Sequence, residues 1–201
     1  MNSRRPFLPF LPLCLSVMAL VTFPSCKALR PVRDPASRHL LDPAVPYRAG
    51  RAAKPALGVA KPYLPAYLDR QQLVTRDGNG AVKVMDTQLW SEPLDTGITR
   101  VLAANLSRLT GSTAIQSASS FVSLEYDSVV ELRVDQFDPD PSGQMVLECS
   151  WKVQPVTGGE RNFRSYRTEV PVETTVPPVA GRIAAMNEAL ARLAREITRS
   201  L

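Results

Sequence analysis

The sequence predicts an α+β protein: a two-layer sandwich in which a mostly antiparallel sheet is covered by two amphipathic helices. Three observations predict it. Residues 130–134 and 145–153 alternate apolar and polar side chains with a period of two. Residues 94–109 and 179–197 repeat apolar side chains at helical spacing. The order is strands, helix, strand meander, helix, so a sheet with one dry face meets two helices with one dry stripe each.

The elements follow in order. His39-Leu40-Leu41-Asp42 forms a first short strand, and 43–55 is a loop rich in Ala, Arg and Pro. Leu57-Gly58-Val59-Ala60 is a second strand. Leu64-Pro65-Ala66-Tyr67-Leu68-Asp69-Arg70 is a turn-forming connection anchored by apolar residues. Strands over 72–76 and 82–85 flank Asp77-Gly78-Asn79-Gly80, whose Asp-Gly and Asn-Gly pairs supply the positive φ of a tight hairpin. Ser91 is placed to cap a helix, its hydroxyl accepting a first-turn N–H. Glu92 suits the positive end of the dipole, and Pro93 is tolerated where N–H groups have no helical partner. Leu94, Ile98, Val101, Leu102, Leu106 and Leu109 form the buried stripe, and Gly111 ends the helix in a left-handed cap. Arg100 and Arg108 fall off the stripe and read as solvated.

A Ser/Ala-rich connection leads to the clearest strands. Val130, Leu132 and Val134 alternate with Glu131, Arg133 and Asp135. Met145, Leu147, Cys149, Trp151 and Val153 alternate with Val146, Glu148, Ser150 and Lys152, which are assigned to the wet face. Residues 138–143 read as a hairpin loop, 157–160 as a turn and 162–172 as a further strand. Pro177-Pro178 opens the last helix, with the stripe Val179, Ile183, Met186, Leu190, Leu193 and Ile197. Arg192, Arg195 and Arg199 lie near its C-terminus, where cations are favoured. Open edge strands are a route to self-association.

The N-terminus carries its own information. Arg4 and Arg5 precede an apolar run over 7–23, which stops at Pro24-Ser25-Cys26. This is the architecture of a secretion signal, and the thiol of Cys26 is placed for lipid attachment. The expected organisation is a lipoprotein signal peptide over 1–25, a lipidated tether over 26–36 and a domain over 37–201. Phe23 and Pro24 are atypical before such a cysteine. An uncleaved anchor is the alternative, since about 20 apolar residues can span a bilayer; Pro6, Pro9 and Pro12 argue against a stiff spanning helix. Ten residues of tether reach at most about 33 Å. Lys27, in place of an Asp, favours the outer membrane over the inner.

Composition excludes several classes. The net charge is +5, of which Arg4 and Arg5 contribute two, leaving about +3 with both signs mixed along the chain. There is no basic stripe, so no nucleic-acid partner is expected. Of three cysteines, Cys14 lies in the signal and Cys26 is consumed by lipidation. Cys149 is left without a disulfide partner and reads as a small buried hydrophobe. The single histidine, His39, offers only one possible base, and no metal-ligand spacing, phosphate loop or dinucleotide motif is present. The chain reads as a non-enzymatic binding or structural module without a cofactor or metal.

Several stretches carry a resemblance. They are His39-Leu40-Leu41-Asp42-Pro43, Leu64-Pro65-Ala66-Tyr67-Leu68-Asp69-Arg70, Leu89-Trp90-Ser91-Glu92-Pro93-Leu94 and the run from Arg100 to Leu109. Val134-Asp135-Gln136-Phe137-Asp138, Leu147-Glu148-Cys149-Ser150-Trp151 and the Ala-rich C-terminal helix also fit. Together they resemble the ABC-type transport auxiliary lipoproteins, most closely the PqiC type. The resemblance implies a fold like the TolB N-terminal domain and a periplasm-facing lipoprotein at the outer membrane. It also implies a lipid-transport partner, an MCE-domain (mammalian cell entry) protein of a PqiB-type transporter, and self-association into a homo-oligomeric ring. Val45–Pro55 departs from the family pattern and reads as a loop insertion without consequence.

Candidate contacts each have a local alternative. Tyr63, Leu64 and Tyr67 form either an exposed apolar patch for a partner or part of the core. Asp69 and Arg70 face a partner or seal their own turn by an ion pair. Trp90 is an interface anchor or packs the start of its helix. At the level of function, a docking subunit of a lipid transporter leads. A lipoprotein that assembles or plugs a polysaccharide or lipopolysaccharide exporter is the alternative, and an envelope hydrolase is a distant third.

Overall fold

The computed structural model of the chain describes residues 34–77, 79–118, 126–159 and 162–201. The expected signal peptide, Cys26 and the tether up to residue 33 lie outside these, as do Gly78, Glu160 and part of the Ser/Ala-rich connection. The strands are β1 (Ser37–His39), β2 (Leu57–Val59), β3 (Gln72–Arg76), β4 (Val82–Trp90), β5 (Ile115–Ser117), β6 (Ser128–Pro139), β7 (Gln144–Pro155) and β8 (Arg164–Pro171). The helices are α1 (Leu94–Thr110), between β4 and β5, and α2 (Pro178–Thr198) at the end.

The α+β class is as the sequence predicts. The strands divide between two sheets, ordered β1-β4-β3 and β5-β2-β6-β7-β8. The long β6–β7–β8 meander is antiparallel, while β2 runs parallel to both β5 and β6. The helices pack on each other and on the inner face of the larger sheet, α1 over β2 and β5, α2 over β6, β7 and β8. Ile98, Leu102, Leu106, Leu190, Leu193 and Ile197 are fully buried between these layers. Each such side chain contributes about 1.5–3 kcal/mol relative to exposure. Ala185, Ala189, Ala191 and Ala194 are also buried, their small side chains letting α2 lie close to its neighbours.

Local chemistry moved several expected boundaries. β1 ends at His39, because Ser91 N–H takes the His39 carbonyl at 2.8 Å and closes the ladder with β4. Leu41, expected within the strand, is instead a core residue beyond it. β4 runs on to Trp90 because β1 pairs with its second half. β5 was not expected; three residues are too few to show a period. Ser91 does not cap α1. The N-cap position is Pro93, with no side-chain cap, so Ser91 lies two residues too early. Gly111 does end α1, at φ 71°, its N–H reaching Ser107 O at 2.8 Å.

A bulge changes β6. Its register against β7 shifts between Val134 and Gln136, leaving Asp135 without an opposite residue. The extra residue reverses the alternation. Val130, Leu132 and Val134 face the helices before it, and Phe137 does so after it. Residues 138 and 139, expected in the hairpin loop, continue the strand, and Asp138 pairs opposite Val146 on the outer face. The alternation in sequence predicts Val146 on the wet face. It is fully buried because the outer face is covered at this end.

Candidate functional site

After β2 the chain stays beside β6. Ala60 N–H bonds Val130 O, Tyr63 N–H bonds Leu132 O, and Val134 N–H bonds Tyr63 O, each at 2.9–3.0 Å. Pro65 then starts a tight turn, closed by Leu68 N–H on Pro65 O at 2.9 Å and Arg70 N–H on Leu68 O at 2.9 Å. Leu68 is buried, and Leu64 is packed against the core. The turn is therefore fixed to the protein by its apolar residues, as the sequence suggests.

A polar joint fixes it a second time. The Tyr67 hydroxyl donates to Asp138 Oδ2 at 2.5 Å. Arg76 Nε and Gln136 Nε2 donate to Asp138 Oδ1 at 3.1 and 3.0 Å. The Asp138 side chain has no exposed surface. The Arg76 guanidinium also lies 5.3 Å from the centroid of the Tyr67 ring. Burial, and then the adjoining Asp138 carboxylate, push the Tyr67 hydroxyl well above the usual tyrosine range. One carboxylate thus ties the turn, β3 and β6 together, with three donors compensating its loss of water. Asp138 was not recognised from sequence, since Asp-Pro repeats suggest a loop and a single sequence does not mark a bulge.

The expected contact residues separate into two groups. Tyr63 is 67% exposed, and Asp69 and Arg70 are exposed at the end of the turn that follows. Leu64 is partly buried, Tyr67 points inward to Asp138, and Trp90 is a core residue. No ion pair joins Asp69 to Arg70 among the described residues; the backbone bonds close this turn without one.

Arg100 and Arg108 are not simply solvated. Arg100 Nη2 donates to Leu41 O at 2.7 Å and to Glu92 Oε1 at 2.6 Å. Arg108 Nη1 donates to Pro43 O at 3.2 Å and Val45 O at 2.7 Å. The segment after β1 crosses α1 without a strand partner, so its carbonyls need side-chain donors. Val45 N–H completes this arrangement on Asn105 Oδ1 at 3.2 Å. The 45–55 stretch is likewise built into the fold: Arg51 and Ala52 N–H both reach Gly111 O, and Thr113 N–H reaches Ala52 O.

The outer sheet face away from Asp138 is a grid of ion pairs. Arg167 meets Glu148 at 2.6 Å and Glu169 at 3.0 Å; Arg133 meets Asp135 at 3.0 Å, and Lys152 meets Glu131 at 3.3 Å. This face is charged and wet, unlike an acyl-chain surface. Cys149 lies on the opposite, buried face, where burial foremost pushes its thiol up to about 12. His39 is engaged by Gln88 Oε1 at 2.7 Å. Among the described residues, no group of three or more His, Cys, Asp or Glu side chains is placed to hold a metal ion. No described helix is long and apolar enough to cross a membrane.

Comparison with known proteins places this geometry. The sequence profile of the family described as ABC-type transport auxiliary lipoprotein component matches residues 39–198. No curated protein matches significantly. Two solved structures share the fold. A crystal structure described as an uncharacterized protein has a TM-score of 0.65 at 20% identity, covering 82% of this chain and 97% of its own. A Xanthomonas campestris protein of the DUF330 family has a TM-score of 0.63 at 18% identity, covering 81% of this chain and 93% of its own.

Proposed function

Because this chain belongs to the family of ABC-type transport auxiliary lipoprotein components, we propose that it is a non-catalytic lipoprotein subunit of an MCE/ABC-type lipid transporter. In this reading the signal over 1–25 is removed and Cys26 is acylated. The domain then faces the periplasm from the outer membrane, docks the end of a periplasm-spanning MCE-domain protein and supports envelope integrity. The observation that carries the reading is the family match, which spans nearly the whole domain. Acyl anchoring suits it, since each buried CH₂ adds about 0.8 kcal/mol and stable attachment needs more than one chain.

The Tyr63–Arg70 segment is the proposed contact. It presents an exposed aromatic, Tyr63, with Asp69 and Arg70 on a backbone held by the Asp138 joint. A rigid presentation lowers the ordering cost of binding. Self-association of several copies would align such turns around the end of a tubular partner.

The test is a photoactivatable amino acid at Tyr63 in the native envelope. Capture of an MCE-domain protein or a second copy is the expected result. Efficient capture of a polysaccharide-export component instead would replace this reading with the alternative one. Palmitate labelling that disappears in Cys26→Ala checks the anchor separately.

A further inference from the structure

The loop between Leu41 and α1's C-terminal end carries a surface that the transporter reading does not use. From Pro43 to Pro55 the sequence contains Arg48, Arg51 and Lys54 and no acid. Lys54 is neutralised by Asp127 at 2.5 Å. Arg48 and Arg51 are exposed, and neither guanidinium has a carboxylate partner among the described residues. Tyr47, on the same loop, is 78% exposed, and Arg108 of α1 lies 5.8 Å from its ring centroid. The other exposed positions of the loop, Ala44, Pro46, Ala49, Ala52 and Ala53, are small.

This loop is held in place. Arg108 and Asn105 fix its first half, and the Gly111 carbonyl takes two N–H groups from its second half. Gly50 sits so close that a Cβ there would lie 2.9 Å from Gly111 O. An exposed tyrosine is therefore displayed on a fixed frame, with Arg108 near its ring and Arg48 and Arg51 exposed on the same loop.

We propose that this loop is a second membrane contact, recognising the anionic headgroups of a phospholipid leaflet. Tyrosine favours the headgroup level, with its ring toward the acyl boundary and its hydroxyl in water. Arginines beside it meet the negative surface potential. Small exposed side chains and the lack of any acid between Pro43 and Pro55 fit a broad, negatively charged surface better than a shaped protein pocket. The proposal rests on the membrane-attachment reading for what brings a bilayer within reach, since a tether of ten residues spans at most about 33 Å. The loop would set which side of the domain faces the leaflet, leaving other sides to partners.

The test uses the full chain with phosphatidylcholine vesicles, with and without phosphatidylglycerol. Tyr47→Trp, read by quenching from brominated lipid, reports the loop alone, because Trp90 and Trp151 are 8% and 2% exposed. The acylated chain should sediment with both vesicle types, but Trp at 47 should be quenched only when phosphatidylglycerol is present, and less in added salt. In the Cys26→Ala background, the preference for phosphatidylglycerol should fall about thirtyfold on replacing Arg48 and Arg51 by Ala, at about fivefold per cation. Equal quenching without phosphatidylglycerol, or a preference unchanged by the arginine substitutions, overturns the proposal. Binding of a polyglutamate peptide with no lipid preference overturns it in favour of an acidic protein partner. A wild-type chain found without an acyl group in the native envelope sinks the anchoring reading, while an arginine-dependent preference in the Cys26→Ala chain leaves this one standing.

Discussion

Asp138 and Glu148 stand in adjacent rows on the outer face of the five-stranded sheet. The first has no exposed side-chain surface and the second is 47% exposed. Both are ionic partners of arginine, yet their surroundings differ. Tyr67 and Arg76 close over Asp138 from the turn and from β3, whereas Glu148 meets Arg167 in open water. The lesson is that charge on this face has two uses. Where it is sealed it joins separate elements, and where it is open it keeps a sheet face soluble.

The largest effect that tests this difference is Asp138→Ala. It leaves Arg76 and Tyr67 facing an apolar gap, and breaking such a buried pair costs about 3–5 kcal/mol. A urea titration should show the loss, together with faster amide exchange over the turn at 64–70. A loss no larger than that of an exposed charge would erase the distinction between the two regions.

Next comes Arg108→Ala, which extends the sealed class to the segment over α1. Two backbone carbonyls lose a charged donor, for about 1.5–3 kcal/mol. Hydrogen exchange should rise over 43–52 and not in β7. Protection that is unchanged there would mean that water replaces the guanidinium, and the segment would belong with the open region.

How much of this was legible follows the same division. The apolar faces of α1, α2, β6 and β7 were legible because burial writes a period into the sequence, 3.6 or 2 residues long. The sealed polar contacts were not. Asp138 sits in an Asp-Pro run that favours a turn, and the one-residue bulge that places it inside leaves no compositional mark. Arg100 and Arg108 were visible as off-stripe residues, but the carbonyls they serve lie 59–65 positions away in sequence. Of the candidate contacts, the sequence leaves Tyr63 open between an exposed patch and the core, and the structure exposes it. Tyr67 and Trp90 were ambiguous because an aromatic in a turn or before a helix serves packing and binding equally well. The separation of the strands into two sheets was hidden for the same reason as Asp138: strand period records faces, not neighbours.

A smaller effect is expected from Tyr67→Phe, which keeps the ring under Arg76 and removes one donor to Asp138. The loss should be about 1 kcal/mol, since Arg76 and Gln136 remain. Its pH dependence sharpens the point. The Tyr67 hydroxyl is raised in the folded state, so the unfolded chain ionises first as pH climbs past about 10. Stability from this group is fully present below that pH and falls above it. The Phe variant should therefore lose less than the wild type between neutral pH and pH 11, in thermal melts taken across that range. Parallel curves would show that the hydroxyl is not sealed.

The smallest effect belongs to the open grid. Arg167→Ala removes two ion pairs at once, to Glu148 and to Glu169. The neighbouring carboxylates raise the guanidinium's proton affinity, but it is charged at any working pH, so that shift changes nothing in the folded balance. After the substitution both glutamates remain half exposed, at 47% and 43%, and water takes the arginine's place. Exposed pairs gain little because holding two long side chains in one geometry offsets most of their attraction. The urea midpoint should stay where it was, and so should its dependence on salt. A clear drop, in a variant that leaves the apolar face of β8 untouched, would show that the grid stabilises the chain as a sealed contact does, and would erase the distinction between Glu148 and Asp138.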